Sequence, residues 1–283
     1  MAHILSVASG KGGVGKTLLT SSMGISLSRK GKRVLLIDGD MGMRNMDLAL
    51  GVENECLYHI LDLSEGKCFP KDVILSIDEH LDFIPAAPSG TWEDIIPAAL
   101  DTVLEDVDSQ YDYILLDCPA GVGSGIQYAS RVSEKMVLVV APSWASKRNA
   151  DQLIHMVGRK IDCTMILNQF SQQDDTQISF SDMVETVDPD YFAGVIPYSA
   201  EADRLAHEGE LTEFSSKGAF GKAVTSVLAA ILEGKNYPYS RWGHLLQEAA
   251  REEEASKETL VKEKTNGLSW HSTSYAYKWR RRR

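Results

Sequence analysis

Long apolar runs are scarce in this chain of 283 residues. No window approaches the roughly 20 apolar residues that a membrane span requires. The opening "MAHILSVASG" lacks the basic n-region and the apolar length of a secretory signal. Cysteine is sparse too. Cys56, Cys68, Cys118 and Cys163 stand far apart, with no C-x-x-C pair and no histidine at zinc-ligand spacing. That excludes a disulfide framework and a zinc module, and leaves free thiols in a reducing compartment. Positive charge is in deficit: 29 Lys and Arg face 40 Asp and Glu, a formal charge of −11. Such a balance argues against a surface that coats nucleic acid. No internal repeat is visible. These absences describe a cytoplasmic protein whose membrane contact, if any, is peripheral.

What is present is an alternation. Short apolar runs at 3–9, 33–38, 81–86, 111–117, 135–141, 163–168 and 192–197 read as strands, nearly unbroken and so covered on both faces. Between them, 17–30, 93–108, 124–133, 146–159, 179–187, 200–208 and 217–233 carry helical patterning, and Gly31 is a suitable left-handed stop. The expected fold is α/β: a doubly wound, mostly parallel sheet with ligands at the carboxyl ends of its strands. This pattern occupies 1–236. A charged helical extension at 237–264 follows, with Trp242, Leu245, Leu246 and Ala249 on one face. Residues 265–283 read as a disordered basic tail, with five basic side chains among the last nine residues.

"GKGGVGKT", Gly10 to Thr17, satisfies G-x-x-x-x-G-K-[ST] directly between a strand and a helix. Its spacing makes Gly10, Lys11, Gly12, Gly13, Val14, Gly15, Lys16 and Thr17 a phosphate cradle. Glycines let backbone N–H groups close around phosphate oxygens, and the helix adds the positive end of its dipole. Lys16 would reach the β- and γ-phosphates, and the Thr17 hydroxyl would bind Mg²⁺. Asp117 ends the strand "YILLD", where a carboxylate would hold the metal's water shell. Asp38 and Asp40 end "LLIDGD". Carboxylates there commonly cap the next helix; two of them beside a phosphate loop favour a site. Asp40 would orient the attacking water, and Asp38 would steady the metal shell or Lys16. Lys11, the second lysine of the loop, is either a solvated side chain or a second cation for the phosphates.

"KGGVGKT", "DGDMGMRNMD" (38–47) and "LDCPAGVG" (116–123), in this order, resemble the deviant Walker A ATPases of the MinD/ParA family, and most nearly its division-site-selection branch. The resemblance spans roughly residues 1–235. Later echoes are "APSWASKRNAD" (141–151), with Pro142, Arg148 and Asp151, and "GVIPYSAEADRLAHEGE" (194–210), with Arg204. It implies ATP and Mg²⁺ as cofactors, Asn168 contacting the adenine and Pro197 lying beside the base. It also gives Lys11 a role, as the signature lysine that crosses to a partner subunit's phosphates in an ATP-bound homodimer. Segments 38–47 and 117–123 become switches. Turnover is slow and calls for a hydrolysis-stimulating protein, and a downstream effector couples the switch to cell-division or other polar machinery.

Four positions depart from the family pattern. Gly123 stands where a glutamate is common and Cys118 where a serine is; Ser143 and Trp144 replace an acidic and an aliphatic residue. The usual amphipathic C-terminal helix gives way to "SYAYKWRRRR", whose Lys278 and Arg280 to Arg283, with Tyr275, Tyr277 and Trp279, suit an anionic membrane surface. Rival readings are a partition ATPase that binds DNA, disfavoured by the charge, and a flagellar-number regulator. An amidoligase or tyrosine kinase on this fold is a third, and an iron–sulfur carrier, for which Cys118 alone is too little, a fourth.

Overall fold

The computed structural model describes residues 1–265. The chain runs β1 (His3–Ala8), α1 (Lys16–Ser28), β2 (Val34–Asp38), α2 (Met46–Leu50), α3 (Ile60–Ser64), α4 (Pro70–Val73), β3 (Leu75–Asp78) and β4 (Leu81–Ile84). It continues with α5 (Pro97–Val107), β5 (Tyr113–Asp117), α6 (Ser124–Val132), β6 (Lys135–Val140), α7 (Trp144–Val157) and β7 (Asp162–Phe170). The remainder is α8 (Phe180–Glu185), β8 (Phe192–Pro197), α9 (Ala200–Glu208), α10 (Ala219–Glu233) and α11 (Tyr239–Thr265). Single 3₁₀ turns stand at Trp92–Asp94 and Leu211–Glu213.

The strands form one eight-stranded sheet in the order β3-β4-β2-β5-β1-β6-β7-β8. Every pair is parallel except β3 with β4. Strand β1 is central. From it the chain crosses over β5 to reach β2, and later returns to β6 on the other flank. The crevice at the carboxyl end of β1 is therefore the topological switch point, where such sheets bind ligands. Val, Leu and Ile fill β2 and β6 because both faces are covered, one by the layer with Leu19, Met23 and Phe220, the other by the layer with Leu100, Ile126 and Leu153.

The mostly parallel sheet expected from the strand runs is observed. The antiparallel edge strand β3 escaped the reading because its half-exposed "LSID" alternates too briefly. Helices α2, α3 and α4 were missed for the same reason: at four or five residues each they complete barely one turn. The helix expected over 93–108 starts later. Pro97 occupies its first turn, and the 3₁₀ turn before it is a separate element; proline fits a first turn and not an interior.

Helix α11 packs its first two turns onto the sheet domain. Trp242, Leu245 and Leu246 are buried in the same core as β8 and α10, and Trp242 meets the rings of Phe192 and Tyr237 edge-on. Gly194, with φ of 148°, is where the indole closes on the backbone of β8; a Cβ there would stand 2.4 Å from Trp242 Cη2. Farther on, the Glu252 carboxylate accepts from Ala219 N–H at 3.0 Å and so caps α10. The basic tail, with Lys278 and Arg280 to Arg283, lies outside the described residues.

Candidate functional site

The loop from β1 to α1 turns on two left-handed glycines, Gly13 with φ of 77° and Gly15 with φ of 78°. A side chain at Gly15 would be blocked as well as strained, since its Cβ would lie 2.6 Å from Asn168 Nδ2. Side chains from the neighbouring flank and from the loop itself pin the loop's backbone. Asn168 Nδ2 donates to Val14 O at 2.8 Å, Asn149 Nδ2 to Gly10 O at 3.2 Å, and Ser9 Oγ to Lys11 O at 3.0 Å. Gly12 and Gly13 face open space. The side chain of Lys11 is exposed on the rim and, among the described residues, makes no ion pair.

Beneath the loop, α1 presents Lys16 and Thr17 to the tip of β5. Lys16 Nζ lies 2.9 Å from Asp117 Oδ1 and 3.9 Å from Asp40 Oδ2, yet the buried ammonium has no well-aligned hydrogen bond. Thr17 Oγ1 donates to Asp117 Oδ2 at 2.6 Å. Thr20, one turn on, donates to Asp117 Oδ1 at 3.0 Å. The carboxylate of Asp117 is thus fully buried and held by one cation and two hydroxyls. On the adjacent strand end, Asp38 Oδ1 accepts from Asp40 N–H at 2.9 Å, while Asp38 Oδ2 is buried with no partner.

Burial sets the electrostatics. It raises the Asp38 carboxyl to about 7, helped by the nearby charge of Asp117. Burial also raises Asp40, against the pull of Lys16. For Lys16 burial works to lower the pKa, but Asp117 and Asp40 outweigh it and the ammonium stands above its ordinary value. The Cys118 thiol, wholly buried, is pushed up by desolvation and stays protonated, a poor cluster or metal ligand.

These residues fit a magnesium nucleoside triphosphate. The buried ammonium of Lys16 and the unpartnered carboxylate oxygen of Asp38, both next to Asp117 beneath the glycine loop, are groups that phosphate oxygens and a hydrated cation would satisfy. The donors are hydroxyl and carboxylate oxygens, which suit Mg²⁺. Among the described residues no group of three or more His, Cys, Asp or Glu is placed to hold a metal alone, so the ion would draw its other ligands from phosphate and water. Asn168 and Pro197 lie on the neighbouring strands β7 and β8, where Phe170, two residues past Asn168, pairs with Pro197.

Several participants had no motif to reveal them. Thr20 was hidden as one more helix hydroxyl, although its spacing from Thr17 puts it on the same face one turn later. Gln169 has φ of 62°, and Gln177 pins that turn by donating to Gln169 O at 3.1 Å and accepting from Ser171 N–H at 3.0 Å. Trp92 donates its indole N–H to Gly39 O at 2.7 Å; a lone tryptophan in a loop gives no signal of that.

A family model described as an AAA domain matches residues 2–170. The septum site-determining protein MinD of Synechocystis is 30% identical over 250 residues, covering 84% of this chain and 92% of the relative. The chain belongs to the MinD/ParA family. Among solved structures, MinD in the MinC:MinD cell division protein complex of Aquifex aeolicus matches with a TM-score of 0.73 at 32% identity, covering 84% of this chain and 98% of that one. The septum site-determining protein MinD of Pyrococcus horikoshii, complexed with Mg-ADP, matches with a TM-score of 0.72 at 26% identity, covering 82% and 97%. MinD/ParA proteins are ATPases, and the sheet order and phosphate loop described above are the fold of that family. Among the described residues no helix is long and apolar enough to cross a membrane.

Proposed function

We propose that the protein is an ATP-gated dimerising switch that hydrolyses Mg²⁺-ATP to ADP and phosphate and thereby positions cell-division or other polar machinery. The observation that carries this reading is the convergence of Lys16, Thr17, Asp117, Asp38 and Asp40 under one glycine loop. Mg-ADP in the Pyrococcus horikoshii relative supports nucleotide and metal. The MinC:MinD complex of Aquifex aeolicus supports a protein partner.

In this mechanism the loop's N–H groups and Lys16 bind the phosphates, while Thr17 and Asp117 would hold Mg²⁺ and its water. When bound, the ion would supply positive charge against that developing on the transferred group. Asp40, half-buried and 3.9 Å from Lys16 Nζ, orients the attacking water. Asp38 holds the Asp40 backbone N–H and so fixes the direction of that strand end. Lys11 reaches from each protomer to the phosphates of the other, adding a cation where negative charge builds. Without triphosphate the two lysines repel, so dimerisation follows the nucleotide. Asn168 and Pro197 receive the adenine.

Membrane attachment belongs to the same proposal. Each Lys or Arg of the tail is worth about 1 kcal/mol at an anionic leaflet, and two tails in a dimer bind more tightly than one through effective concentration. Release of phosphate with Mg²⁺-ATP, together with pelleting on anionic vesicles, tests the reading. Hydrolysis with nucleotide-dependent pelleting, lost on deleting residues 275–283, supports it; pelleting that ignores nucleotide, or retention on DNA alone, contradicts it. The second outcome is that of a partition ATPase.

A further inference from the structure

The 3₁₀ turn Trp92–Asp94 belongs to neither the phosphate loop nor the strand ends that carry the aspartates. Nevertheless two adjacent residues of it reach two separate segments, the Asp38–Asp40 strand end and the start of α6. Trp92 Nε1 donates to Gly39 O at 2.7 Å. Glu93 Oε1 accepts from Ser124 Oγ at 2.8 Å, at the first residue of α6. The indole is buried between the two segments. A Cβ on Gly39 would stand 2.9 Å from Trp92 Cζ2, and one on Gly125 would stand 2.8 Å from Trp92 Cδ1. Both segments carry glycine where the ring lies. Tyr128 of α6 closes the far side of the ring, at 5.5 Å between centroids.

The consequence lies in one peptide group. Gly39 O and Asp40 N–H are the two ends of a single planar unit. Its oxygen accepts from Trp92, and its N–H donates to Asp38 Oδ1. Gly39's own N–H donates to Asp117 O at 2.8 Å. Glycine has little torsional preference, so the orientation of this unit depends on what grips it, and Asp40 hangs from it. Remove the indole donor and the carbonyl loses its partner, leaving the unit held by Asp40 N–H and its neighbour Gly39 N–H alone, so that Asp40 is less firmly fixed beside Lys16.

Resting on the ATPase reading above, we infer that Trp92 and Glu93 are positioning residues for hydrolysis, a strap that ties the Asp38–Asp40 segment to the start of α6 so that the two hold one arrangement together. Among the described residues, neither Trp92 nor Glu93 hydrogen-bonds a residue of the cradle. Loss of the strap therefore acts on turnover and spares nucleotide binding. Trp92→Phe keeps the ring's bulk and deletes the donor; Glu93→Ala and Ser124→Ala delete the other bond from opposite ends. Glu93→Gln retains an oxygen that still accepts from Ser124.

The test measures ATP affinity by titration calorimetry and kcat by phosphate release for the wild type and these variants, with thermal unfolding as a control. The expected result is kcat lower by about tenfold in Trp92→Phe, Glu93→Ala and Ser124→Ala, equivalent to about 1.4 kcal/mol of barrier. ATP affinity stays within about twofold. The double Glu93→Ala, Ser124→Ala variant falls no further than either single one, and Glu93→Gln restores the wild-type rate. Glu93 is exposed, so those variants fold even if Trp92→Phe does not. Unchanged kcat in all three, or kcat and affinity falling together, overturns the strap. A wild type that binds no ATP overturns the nucleotide reading instead, and the calorimetry arm separates the two failures.

Discussion

Lys16 Nζ lies 2.9 Å from Asp117 Oδ1, and Asp117 is completely buried. The ammonium that would grasp a phosphate therefore neutralises, in the free protein, the carboxylate that would hold the metal. Lys16→Ala is expected to abolish ATP binding in calorimetry. It also leaves Asp117 buried without its cation. Urea unfolding of the nucleotide-free variant should show a loss of about 3 kcal/mol, the low end for a broken buried pair, because Thr17 and Thr20 still donate to the carboxylate.

Asp38 gives the free protein a pH dependence with a definite sign. Its carboxyl is raised from 3.8 to about 7 in the folded state, so the folded chain holds a proton that the unfolded chain releases. The resulting stabilisation is complete below the unfolded pKa and is lost as pH rises through about 7. Asp38→Asn keeps an oxygen for the Asp40 N–H and removes the titration. Relative to wild type, the variant should gain stability at pH 8 and gain little at pH 4, as read by urea unfolding without nucleotide. A gain equal at both pH values would show that Asp38 is not the responsible group.

Asp40 is the half-buried carboxylate of the trio, positioned to face water. Asp40→Ala should bind Mg²⁺-ATP with near-normal affinity and hydrolyse it at least tenfold more slowly, which accumulates the ATP-bound state. Phosphate release under single-turnover conditions checks it; wild-type turnover would remove Asp40 from the mechanism.

Trp242 carries the docking of α11. It is buried between Phe192, Tyr237 and the bare backbone of Gly194. Trp242→Ala should cost about 3–5 kcal/mol, read by thermal unfolding, and detach the helix that leads to the basic tail. ATP affinity should change little, since Trp242 packs on the edge strand β8, three strands from β1, whose carboxyl end carries the phosphate loop.

Much of the arrangement was legible in the residues themselves. Buried parallel strands announce themselves as unbroken apolar runs, and "GKGGVGKT" located Lys16 and Thr17 because a phosphate loop is a local structure. Asp38, Asp40 and Asp117 were legible as strand ends, and the strand order then brought β2, β5 and β1 side by side. What remained hidden depends on tertiary packing. The antiparallel edge strand β3 turns only Leu75 and Ile77 toward the core, too short an alternation to mark a strand. Trp92 reaches Gly39 across 53 residues, and nothing local marks that pairing. Gln177 holds Gln169 only because the chain doubles back on itself. The tail's role lies in residues outside those described.

The dimer is the central claim, and Lys11, exposed on the rim of the loop, is the residue on which it turns. Light scattering of wild type and Lys11→Ala, each with Mg²⁺ and a slowly hydrolysed ATP analogue, tests it most directly. The account predicts that the wild type doubles its mass with the analogue and not with ADP, while Lys11→Ala binds the analogue and stays monomeric. A Lys11→Ala protein that doubles its mass as the wild type does would contradict it.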